Sequence, residues 1–151
     1  MREEHHVSIA ARSTSVTHSR RTLRSLAAVS GGFVSVAVLS LATDQALHVF
    51  KVYPPWGEPM REPGLNFLAL SYRLLYTVAG GYITSRLSPY APMRHVTVLG
   101  ALGFVAASAG AIAAINLADL GPSWYPIALV VTAFPCVWLG GVLDRARRRG
   151  R

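Results

Sequence analysis

One cysteine, Cys136, stands in a chain of 151 residues, so no disulfide can close within it. Acidic residues are scarce as well, seven Asp and Glu against fifteen Lys and Arg. Charged residues of both signs make up only 15%, against about 25% in an ordinary soluble protein. The chain also lacks a nucleophile elbow, a zinc signature, a phosphate loop and a dinucleotide fingerprint. The expectation is therefore a non-enzymatic chain with no cofactor and no metal. His5-His6 is the nearest approach to a ligand pair, and two adjacent histidines in a polar tail read as incidental.

What the sequence has is long apolar runs. Residues 26–43, 96–118 and 122–143 carry no charge, and 65–85 carries only Arg73. A helix rises about 1.5 Å per residue, so about 20 residues cross a hydrocarbon core of about 30 Å. The run 96–118 is apolar or small on every face, whereas a soluble amphipathic helix would alternate an apolar and a polar stripe. The fold class that follows is an all-α membrane protein, a bundle of four transmembrane helices with short loops. The domain would span 26–143, with helices at about 26–50, 65–86, 96–118 and 123–143. A disordered basic tail (1–25) would precede it and a short basic tail (144–151) would follow. Ser19-Arg20-Arg21-Thr22-Leu23 looks like a twin-arginine export signal, with Ser40-Leu41-Ala42 as a cleavage site. The run is longer than the apolar region of about 7–15 residues usual in such signals, which favours a retained helix.

The net charge of +8 has a positional explanation. Five arginines precede the first run, five follow the last, and Arg86 and Arg94 flank the middle loop. The other two loops hold only Lys51 and Arg61 among basic residues. Twelve against two puts both termini in the cytoplasm by the positive-inside rule. The expected partners are the bilayer, anionic lipid headgroups at the basic termini and a second copy in a homo-oligomer, with no nucleic acid. The expected location is a bacterial inner membrane.

The first outer loop holds Pro54, Pro55, Pro59 and Pro63, which exclude helix and ladder strand there. Tyr53, Trp56, Trp124 and Tyr125 suit one headgroup level. The loop at 119–123 is short enough to make the third and fourth helices antiparallel neighbours. Gly103, Ala107 and Gly110 belong to small-residue stripes on the third helix, and Gly80 offers a flat spot on the second. Lipid supplies no hydrophobic drive for helix association, so these positions are expected to carry close packing. Pro135 is expected to kink the fourth helix.

The residues that bear chemistry are few. Asp44 and His48 are four apart and share a helix face, with Ser40 one turn before. Asp44 would lie about 9 Å from the end of its helix and Arg73 about 12 Å from the same side of the next. An antiparallel hairpin then brings these charges to one depth, where an isolated charge costs at least about 2.5–3.5 kcal/mol. Tyr72, Tyr76, Thr77 and Asn116 are candidates to bond around the pair.

Tyr53-Pro-Pro-Trp-Gly57, Gly80-Gly-Tyr82, Pro92-Met-Arg-His95, Trp124-Tyr-Pro126, Pro135-Cys136 and Trp138-Leu-Gly-Gly141 resemble a group of small bacterial four-span membrane proteins with no assigned activity. The resemblance covers about 26–143 and implies the same topology. Small multidrug transporters also share four short helices with one carboxylate in the first, although Asp44 sits later in its helix than their pattern. Two functions stay open. One is a structural or accessory protein in which Asp44–Arg73 fixes helix packing. The other is a small oligomeric transporter, proton-coupled or carrying a small molecule, that uses Asp44, His48 and Arg73.

Overall fold

The computed structural model describes residues 2–118 and 121–150, with side chains at 21–116 and 121–150. Four long helices follow one another: α1 (Arg2–Val49), α2 (Pro63–Leu87), α3 (Pro92–Ala113) and α4 (Trp124–Arg149). A π-helical turn, Ala114–Ala118, extends α3. Proline opens both α2 and α3, where its missing N–H costs nothing.

Two expected boundaries are corrected. The helix α1 begins well before residue 26, because nothing between Arg2 and Ser30 is a proline or glycine that would stop it. His5 and His6 lie among residues whose side chains are outside those described. At the other end α4 runs through Asp144 to Arg149, where the expected tail began. Three arginines in its last turn suit the negative end of the helix dipole.

Three of the helical segments are long and apolar enough to cross a membrane: Arg21–Val49, Pro92–Asn116 and Trp124–Arg149. By that measure α2 falls short of the span expected of it. Arg73, Asn66, Tyr72, Thr84 and Ser85 dilute its apolar content. The packing gives the reason this is tolerable. The helix α2 lies against α1, α3 and α4, and it buries Asn66, Tyr72, Thr84 and Ser85. A helix screened by three others has less need of an apolar surface.

Glycines set the close approaches. A Cβ on Gly80 of α2 would strike the Val36 side chain and come within 3.0 Å of the Gly32 carbonyl on α1. Gly81 and Gly140 bring α2 and α4 into backbone contact, through the Val137 carbonyl and the Val78 carbonyl respectively. A Cβ on Gly141 would come within 2.9 Å of Val96 and one on Gly100 within 2.8 Å of Phe134, so these positions join α3 to α4. Gly103 and Gly110 behave otherwise, since an added Cβ there meets open space. The expectation that they are packing points is therefore corrected. Small side chains permit a backbone contact, but they leave a void equally well where no neighbour approaches.

The two ends of the molecule differ in character. One gathers Tyr53, Trp56, Met60, Trp124 and Tyr125 around the α1–α2 and α3–α4 connections. The other gathers the basic residues, with Ser25 bonded to Tyr90 and Arg147 to Tyr82.

Candidate functional site

The antiparallel α1–α2 hairpin brings Asp44 and Arg73 to one level, and Arg73 Nη2 donates to Asp44 Oδ2 at 2.5 Å. The other carboxylate oxygen accepts from the Tyr72 hydroxyl, one residue before Arg73 on α2. Tyr72 in turn meets the Tyr53 hydroxyl at 3.3 Å. The Asp44 side chain is 9% exposed and that of Arg73 32%. The guanidinium also lies 6.0 Å from the Tyr125 ring centroid, within cation–π range.

His48 lies one turn from Asp44, and its Nδ1–H donates to the Asp44 backbone carbonyl at 2.7 Å. The imidazole stacks on Trp56 at 3.9 Å and 3°, and meets Tyr53 edge-on at 5.4 Å. The proline-rich loop is thereby folded back over the end of α1. Burial pushes the Tyr53 phenol above its ordinary range, the Tyr72 hydrogen bond opposes this, the Asp44 charge adds to it and Arg73 offsets it.

The other candidates divide. Tyr76 bonds Thr43 at 2.9 Å, across the same hairpin. Thr77 donates to the Arg73 carbonyl of its own helix. Asn116 donates to the Ile112 carbonyl on α3, away from the pair.

Beside this cluster lies a cavity of about 600 Å³ to which all four helices contribute. Trp56 and Glu58 stand on its wall with Asp44 and Arg73, while Leu99 and Val137 line its apolar part. Gly103, Ala107 and Gly110 of α3 line it too, which explains the open space beyond those glycines. Val96, Leu99 and Val137 form a buried apolar cluster between the cavity and the basic end.

A second polar cluster was not anticipated. Asp144 of α4 is fully buried, accepts from Ser85 Oγ at 2.7 Å and Arg148 Nε at 2.8 Å, and has Arg86 Nη1 at 3.7 Å. Arg148 Nη2 also donates to the Ser85 carbonyl at 3.0 Å, so Asp144 and Arg148 together bind α4 to the end of α2. The available signal was an acidic residue opening an otherwise basic run, with an arginine four positions on.

No group of three metal-ligating side chains occurs among the described residues. No protein-family model, curated protein or solved structure matches the chain.

Proposed function

We propose that this is a four-span membrane protein that holds, and carries, an uncharged amphiphilic small molecule in the cavity among its helices. The observation that carries this reading is the cavity itself. A bundle that only fixed its own helices would gain by closing it, because an unfilled void forfeits contacts along its whole lining. At about 600 Å³ it lies within the range of about 300–1,000 Å³ usual for small-molecule sites.

The lining argues for the ligand class. The small, apolar face of α3 suits an acyl or isoprenoid body. At the polar end Asp44 and Arg73 cancel each other, and both Asp44 oxygens already accept hydrogen bonds. The pair offers a charged head no free counter-charge, and Glu58, the other acid on that wall, is exposed where water screens it, so an alcohol, ester or amide head fits better. His48 and Trp56 cover that end. Asp44, already engaged by Arg73 and Tyr72, is better suited to shape the site than to shuttle protons.

In this reading α2 is the fourth span, with its polar residues turned toward its neighbours. The twelve-to-two distribution of basic residues supports both termini in the cytoplasm, and the resemblance noted above supports a bacterial inner membrane. The exposed apolar side chains of α1, α3 and α4, among them Phe33, Val105 and Val131, would meet acyl chains or a second copy.

The test is binding of matched dansyl-labelled fatty alcohol, fatty acid and fatty amine to the purified protein. The alcohol should bind most tightly, and Gly103→Leu and Gly110→Leu should weaken it at least tenfold while folded yield is kept. Equal affinity of all three probes for wild type and the leucine variants would defeat the proposal.

A further inference from the structure

We infer that the basic end of the molecule contains a built site for the phosphate of a membrane lipid, formed by Arg94, Arg145 and Arg148. The site is separate from the cavity ligand, and rests only on that end of α4 lying at a membrane surface.

A pocket of about 290 Å³ lies there, lined by these three arginines with Ser85, Asp144 and the first residues of α3. Arg94 and Arg145 are exposed, and their side chains make no ion pair or hydrogen bond with the described residues. Arg148 is different, because its Nε is held by the buried carboxylate of Asp144 and its Nη2 by the Ser85 carbonyl. A long flexible side chain is thus fixed in advance, which lowers the ordering cost of binding. Asp144 is wholly buried while Arg148 is 42% exposed, so the carboxylate holds the guanidinium from behind and leaves part of it to solvent. Asp144 is a positioning residue, then, and the acceptors a ligand brings would go to the arginines.

The charge balance selects the ligand. Arg86, Arg94, Arg145 and Arg148 surround the single acid Asp144, an excess of three positive charges. The chain enters α3 through Ala91, which is in the left-handed region and makes no side-chain cap, so the positive end of that helix adds to the field. Arginine forks match phosphate oxygens, and a phosphate offers several acceptors to three donors at once. Depth selects the source. Asp144 lies about 30 Å along α4 from Trp124, the thickness of a hydrocarbon core, which puts the pocket at headgroup level.

The experiment uses the full chain in nanodiscs of phosphatidylcholine, with and without phosphatidylglycerol, and counts retained lipids by native mass spectrometry. Wild type should retain phosphatidylglycerol preferentially. Arg94→Gln and Arg145→Gln, which leave the internal bonds untouched, should each reduce that retention about fivefold or more. Arg149→Gln removes the same charge outside the pocket and should leave retention within twofold. Asp144→Asn should reduce it while keeping all four arginines, which mere loss of positive charge would not explain. Glycerol phosphate added in solution separates the sources: competition at micromolar concentration would assign the site to a soluble phosphate and overturn the lipid assignment. Equal loss in Arg149→Gln and Arg145→Gln would reduce the site to diffuse attraction by a basic tail, and the inference would fall.

Discussion

Gly140 of α4 sits against the Val78 carbonyl of α2, in the space that a side chain would need. Gly81, one turn along α2, stands in the same relation to the Val137 carbonyl. Backbone atoms cannot rotate aside as a side chain can, so the two helices are fixed at their closest distance by these positions.

Gly140→Ala and Gly81→Ala should therefore each destabilise the fold by about 1–3 kcal/mol, the usual cost of overpacking. Gly103→Ala and Gly110→Ala should be neutral or stabilising by up to about 1 kcal/mol, since alanine lowers backbone entropy in the unfolded chain. Thermal unfolding in detergent measures both. Comparable losses at all four positions would mean that the α3 face is packed and the cavity closed.

That contrast marks where the sequence stops being legible. A stripe of Gly and Ala at helical spacing is required both for close approach and for an open lining. Only the position of the facing helix separates the two, and α3 alone does not encode it. Asp44 and Arg73 were legible because a hairpin and a fixed rise per residue determine their depths without any knowledge of packing. Asp144 was not. It follows the last apolar run, where an acid among arginines reads as a solvated tail, and its burial depends on Ser85 being brought across from α2. The length of α2 was legible, but its role was not. Its polar residues are explained by contact with three neighbours, a property of the assembled bundle.

The Asp44–Arg73 pair should behave as a coupled unit. Asp44→Ala strands the guanidinium, and Arg73→Ala strands the carboxylate against Tyr72, so each single change is expected to destabilise. The double variant Asp44→Ala/Arg73→Ala should cost less than the sum, with a coupling of about 0.5–3 kcal/mol. Denaturation of the four proteins in one detergent closes the cycle. Strict additivity would show that the ion pair contributes no coupling.

The Asp144 cluster should hold the ends of α2 and α4 together. Asp144→Ala removes the acceptor for Ser85 Oγ and Arg148 Nε, and leaves Arg86 without its counter-charge. The expected consequence is faster amide exchange over the last turns of α2 and α4, with little change near Asp44 at the far end. Ser85→Ala removes one of those bonds and should give a smaller increase in the same segments. Uniform exchange changes along all helices would indicate global loosening instead of a local clamp.

The topology prediction turns on α2, the helix whose composition falls short of a membrane span. If α2 crosses, the two aromatic connections share one side and the basic segments the other, and the Asp44–Arg73 pair is buried between helices. If α2 does not cross, the two aromatic connections fall on opposite sides and the start of the first span is parted from the 88–91 connection, yet Tyr125 packs against the cluster of Tyr53 and Ser25 bonds Tyr90. Those contacts require α2 to return the chain to the side from which α1 set out. In a Cys136→Ala background, Glu58→Cys should react with an impermeant maleimide from outside intact cells, whereas Ser88→Cys and Gly150→Cys should react only after the cells are opened. Labelling of Glu58→Cys and Ser88→Cys from the same side would remove α2 from the membrane, and the four-span reading with it.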